Sequence, residues 1–128
     1  MNFECKKISI DEEEFGCTIT FSENADQNEF DKGQTVEEIM NSIGRYIMLQ
    51  RTYSEDEFEK DYYYFESSDF EKSGELNDFE ISLSRTQLVL IFENEMYEIQ
   101  ISPSNQKFEE IKDAIKKIAE EKGKINIL

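Results

Sequence analysis

Apolar and polar residues alternate along most of the chain with a period of two, the signature of strands with one buried face. Phe15, Cys17, Ile19 and Phe21 alternate with Gly16, Thr18 and Thr20. Phe3 to Ile10 reads as the partner of that strand, and the Asp11-Glu12-Glu13-Glu14 run as the solvated turn between them. Ser22 to Gly33 is polar and aperiodic and reads as a loop. Thr35, with Glu38 three residues on, fits a capping box, and Val36, Ile39, Met40 and Ile43 form an apolar stripe. This predicts a short helix ending near Gly44.

Arg45 to Tyr53 is apolar on both faces in its first half, as a central strand would be, and Tyr62 to Glu66 is another strand. Phe79 to Leu83, Gln87 to Phe92 and Tyr97 to Ile101 follow with short connections, Arg85-Thr86 and Glu93-Asn94-Glu95. Connections this short require an antiparallel meander. The period then changes. Ser104 can cap a helix in which Phe108, Ile111, Ile115 and Ile118 recur every three or four residues, with Ala114 and Ala119 beside them. Gly123 is placed to end that helix, and Lys124 to Leu128 could add a last short strand. The expected fold class is α+β over residues 1–128 as one domain. It has an antiparallel β-sheet, one long C-terminal helix packed on one face and a short helix before the central strand.

Charge changes the picture. Against 30 Asp and Glu stand 14 Lys and Arg, a formal net charge of −16. Such a surface repels phosphates, which argues against direct contact with nucleic acid or an anionic membrane. The start of the chain, MNFECKKISIDEEE, has no apolar core of a signal peptide, and no apolar run is long enough to span a bilayer. A cytoplasmic location is expected. The chain has no histidine, which removes the commonest general base and imidazole metal ligand, and its five glycines form no phosphate-binding loop. Neither Glu55-Asp56-Glu57 nor Asp11 to Glu14 has the spacing of a calcium loop. No catalytic, cofactor-binding or metal-binding residues are therefore assigned, and the chain is expected not to be an enzyme. Cys5 and Cys17 are expected to be free thiols acting as small apolar residues of neighbouring strands.

The acidic excess has a location. From Pro103 onward five acidic residues face six basic ones, whereas Tyr53 to Glu80 holds eleven acidic residues against Lys60 and Lys72. Those 28 residues also hold eight of the sixteen aromatics. Tyrosine offers contact area at low entropic cost, and carboxylates pair with Lys and Arg and steer an encounter. With Phe65 and Tyr63 turned to the core, Tyr62, Tyr64 and Glu66 share the opposite face. Glu55, Asp56, Glu57, Glu59 and Asp61 lead into that face and Asp69 follows it. These nine residues are the candidate partner-binding set. A plainer reading is that the carboxylates keep a soluble protein soluble and the aromatics are sheet packing.

The order of elements resembles the immunity protein 10 family of bacterial polymorphic toxin systems. The resemblance lies in the acidic segment after the second strand, Tyr46-Ile47-Met48-Leu49-Gln50-Arg51, the aromatic strand Tyr62-Tyr63-Tyr64-Phe65-Glu66 and the strands from Phe79 to Phe92, within about the first hundred residues. It implies a small non-enzymatic protein that neutralises a cognate toxin by binding it, and the expected mechanism is occlusion of the toxin's active site. That partner should be basic. Were it a nuclease, carboxylates would take the places of phosphate oxygens. The alternative is an acidic nucleic-acid mimic or general interaction module acting on a basic DNA- or RNA-binding protein. An enzyme using carboxylates alone ranks third.

Overall fold

The computed structural model describes residues 1–24, 44–69, 72–119 and 123–128. The strands are β1 (Asn2–Glu4), β2 (Lys7–Glu13), β3 (Gly16–Ser22), β4 (Tyr46–Thr52), β5 (Tyr62–Ser67), β6 (Gly74–Glu75), β7 (Phe79–Leu83), β8 (Gln87–Phe92), β9 (Glu95–Gln100) and β10 (Gly123–Ile127), and the helix is α1 (Asn105–Ala119). The α+β class holds. The expected short helix before β4 lies outside the described residues.

One sheet was expected, and there are two. The first has the order β1-β9-β8-β7-β10 and the second β2-β3-β4-β5-β6. The segment from Phe3 to Ile10 is not one strand. The chain changes sheet at Cys5 and Lys6, so that β1 pairs with β9 while β2 pairs with β3. Pairing is antiparallel except at the two edges of the first sheet, where β1 runs parallel to β9 and β10 parallel to β7. A parallel neighbour needs a long connection, which the helix supplies between the meander and β10.

The inner faces of the sheets meet. Phe65 of β5 packs edge-on to Phe92 at 5.5 Å between ring centroids and against Tyr97 at 5.0 Å. Ile19, Phe21, Ile47 and Leu49 from one side and Ile81, Leu83, Leu88 and Leu90 from the other are fully buried in the same core. Each such side chain contributes roughly 1.5–3 kcal/mol relative to exposure. Arg45 links the sheets at the rim. It pairs with Glu23 at 2.6 Å and donates to the Asn2 carbonyl at 2.7 Å.

The helix is as the periodicity predicts: Phe108, Ile111, Ala114, Ile115, Ile118 and Ala119 are its buried residues. Ser104 caps it, its Oγ accepting the Lys107 N–H at 3.1 Å. It does not cover a single sheet face, however. It packs against β2, β3 and β4 of the second sheet and β10 of the first.

Three local expectations change. Asp11, Glu12 and Glu13 are not a turn but the end of β2, paired with Thr18, Cys17 and Gly16. Phe15 is consequently in the turn and 63% exposed. Gly123, expected only at the end of the helix, opens β10 beside Phe79. A Cβ there would clash with the buried Phe79 ring, so glycine lets the backbone pass close to it. At the β8–β9 hairpin, Glu93 (φ 52°) and Asn94 (φ 64°) are both left-handed, as a turn matching the strand twist requires. Cys17 is buried in β3, whereas Cys5 is half-buried at the sheet crossing rather than within a strand, and both are free thiols.

Candidate protein-binding surface

Because α1 and the first sheet occupy one side of the second sheet, the alternation of β3, β4 and β5 turns Thr18, Thr20, Tyr46, Met48, Gln50, Tyr62, Tyr64 and Glu66 to the other side. As expected, Tyr63 and Phe65 are buried and Tyr62, Tyr64 and Glu66 face outward. The rings of Tyr62 and Tyr64 stack with centroids 6.4 Å apart and planes 20° apart. Glu66 gathers two phenols: the Tyr46 hydroxyl donates to Oε2 at 3.0 Å and the Tyr64 hydroxyl to Oε1 at 3.5 Å. Burial, reinforced by the neighbouring Glu66 carboxylate, pushes Tyr46 up to about 12, and the same causes raise Tyr64. Glu75 lies beside Tyr64 in the pairing of β5 with β6.

The acidic loop joins β4 to β5 at one end of this face. Its base is clamped by Arg51. Nε and Nη2 hold Asp61 Oδ2 at 2.8 and 2.6 Å, Nη1 donates to the Lys117 carbonyl at 2.6 Å, and the guanidinium lies over the rings of Tyr53 and Tyr63. The second oxygen of Asp61 accepts the Ser54 N–H at 2.9 Å. The Ser54 N–H and Arg51 together depress the Asp61 pKa. Asp61 is thus turned inward and ties the loop to the helix.

Glu55, Asp56, Glu57 and Glu59 stand in solvent. Asp56 orders the loop, its Oδ1 accepting the N–H groups of Phe58 at 2.9 Å and Glu59 at 3.0 Å. That turn presents Phe58, 89% exposed, among the carboxylates. Asp69 is at the far end of β5, where its backbone bonds Ser67 and Lys72. Six strand residues separate the ends, roughly 17 Å. The nine expected residues therefore make a band along the hairpin rather than a point. Tyr62, Tyr64 and Glu66 come together, and Glu55 to Glu59 flank them.

Three residues of this surface were missed. Tyr46 and Met48 are half-exposed, although the first half of β4 was read as buried on both faces. Their alternation with Ile47 and Leu49 was the available signal. Phe58 had no periodicity to place it. On the β2 side, Asp11, Glu13, Phe15, Gly16, Thr18, Gln50 and Thr52 enclose a shallow hollow of about 280 Å³. Among the described residues no three Asp, Glu or Cys side chains converge as a metal cage would require, and no helix is long and apolar enough to cross a membrane.

No family model matches the chain, and no curated protein and no solved structure is significantly similar to it.

Proposed function

We propose that the protein is a non-enzymatic immunity protein that binds a basic toxin domain and blocks its active site. The observation that carries this reading is the outer face of the second sheet, where stacked Tyr62 and Tyr64 adjoin Glu66 and an ordered acidic loop displays Phe58. An almost fully exposed phenylalanine held in place by a hydrogen-bonded turn contributes little to the fold. In an interface, such an aromatic fills a pocket and the surrounding charges form the rim. The net charge of −16 would draw in a positively charged partner over long range. The toxin as partner comes from the resemblance to the immunity protein 10 family, and action in the cytoplasm, with both thiols reduced, accords with it.

The test is to express the tagged chain in its native host, identify what it captures and ask whether the gene rescues cells producing the captured protein. Rescue abolished by Tyr64→Ala with expression unchanged supports the proposal. Capture of a nucleic-acid-binding housekeeping protein, without rescue from any toxin, would replace it with the mimic reading.

A further inference from the structure

The outward face of the second sheet continues past the tyrosines to β2, and its side chains stand in registered rows. Asp11, Thr18, Gln50 and Tyr64 form one row, and Glu13, Gly16, Thr52 and Tyr62 the next. The hollow of about 280 Å³ lies across β2, β3 and β4 in these two rows, one strand spacing (~4.8 Å) from the stacked tyrosines. Gly16 contributes no side chain to it, and a Cβ there would clash with the Arg51 carbonyl oxygen.

The walls differ in chemistry. Asp11 and Glu13 are two residues apart on β2, hence about 7 Å apart along the strand and on the same face. Both are exposed, and among the described residues neither is in an ion pair. Glu12 between them turns to the other face, where it pairs with Lys117. Lys7, the one basic residue of β2, is four residues from Asp11, about 13 Å. At the hairpin end stands Phe15. Its ring is 63% exposed, while its carbonyl accepts the Tyr53 N–H at 2.8 Å, which fastens the turn to the end of β4. On β4, Gln50 donates from Nε2 to Thr18 Oγ1 at 3.1 Å, so that its amide oxygen is left for a donor from outside.

These features select among ligands. The hollow is smaller than the ~300–1,000 Å³ of small-molecule sites, and its carboxylates repel anions. It leaves room for a single side chain. An ammonium is a point charge, whereas a guanidinium carries five donors in a planar fork, reaches two separated carboxylates at once and stacks flat on an aromatic ring. We propose that the hollow receives one arginine side chain of the basic partner, its guanidinium bridging Asp11 and Glu13 with a face against the Phe15 ring and an edge donating to the Gln50 amide oxygen. The arginine enters beside Tyr62 and Tyr64, so the inference deepens the proposed function and rests on it for the partner's identity. The hollow itself is testable without that partner.

The probe is Nα-acetylarginine amide, with Nα-acetyllysine amide as its control, each titrated into the protein and followed by amide NMR shifts. Saturable shifts should concentrate in Asp11–Thr18 and at Gln50 and Thr52, and arginine should bind about threefold or more tightly than lysine. Asp11→Asn/Glu13→Gln, at two exposed positions, should abolish those shifts, and Phe15→Leu should weaken binding about threefold. With the captured partner, Asp11→Asn/Glu13→Gln should raise Kd about tenfold or more, and replacing one partner arginine by alanine should remove that difference. The proposal is overturned by no saturable shift, by equal binding of the lysine probe, by undiminished shifts in the double variant, or by shifts spread evenly over Glu55–Glu59. The two readings fail separately. Unchanged partner affinity in the double variant, with Tyr62→Ala and Tyr64→Ala still weakening it, overturns the hollow alone. Unaltered tyrosine variants with the arginine shifts intact overturn the tyrosine face alone.

Discussion

Replacing Arg51 by Met removes the clamp under the acidic loop while keeping most of the apolar volume over Tyr53 and Tyr63. Arg51 and Asp61 side chains are only 13% and 18% exposed, so the loss leaves a carboxylate largely shielded from water with Ser54, through its N–H and side chain, as a remaining close partner. Breaking a buried pair from one side costs about 3–5 kcal/mol. Partial exposure and the Ser54 bond place this case near 3 kcal/mol. For a chain of this length that is a fall of about 10 °C in Tm. Urea unfolding followed by circular dichroism measures it. Arg51→Met/Asp61→Asn should regain part of the loss, because the stranded charge is gone. The pH dependence has a definite sign. The Asp61 pKa is depressed on folding, so the stability it contributes is present above its unfolded value near 4 and is lost as pH falls through the folded one. The gap between wild type and Asp61→Asn should therefore narrow below about pH 4. A loss under about 1 kcal/mol for Arg51→Met, typical of a surface pair, would refute the clamp.

Gly123→Ala should destabilise by about 1–3 kcal/mol, since its Cβ would meet the Phe79 ring, and thermal unfolding checks it. In a spectrophotometric titration one tyrosine, Tyr46, should ionise near 12, and Glu66→Gln should move that step down towards the ordinary range; an unmoved step would remove Glu66 as a cause. The raised Tyr46 value also implies that its contribution to stability is full below about pH 10 and lost as pH rises through 12. Cys5 and Cys17, both raised chiefly by burial, should react slowly with a thiol reagent at neutral pH and quickly once unfolded; equal rates would contradict their placement.

The meander, the long helix and the inward and outward faces of β5 were legible because each rests on a period that a few residues establish. Tyr63 and Phe65 could be turned to a core without knowing what filled it. Alternation does not say how many sheets share that core, and nothing between Phe3 and Ile10 marks the crossing at Cys5 and Lys6. The parallel pairing of β10 was equally hidden, because it depends on where α1 returns the chain. Within the candidate surface, Asp61 looked like its acidic neighbours. Its inward turn follows from Arg51 arriving on β4 in register with Tyr63, a contact ten residues apart in sequence. Phe15 was misplaced because the Asp11 to Glu13 carboxylates, which suggested a turn, extend β2 instead.

Surface plasmon resonance on the captured partner tests the binding surface most directly. Tyr62→Ala and Tyr64→Ala should each weaken binding by about 2 kcal/mol, roughly thirtyfold in Kd, mainly through faster dissociation. Reversing Glu55, Glu57 and Glu59 to Lys should slow association and flatten its dependence on salt, while Lys116→Glu, exposed on α1, should change neither rate. Unaltered kinetics in both tyrosine variants, together with weakened binding by Lys116→Glu, would contradict the account.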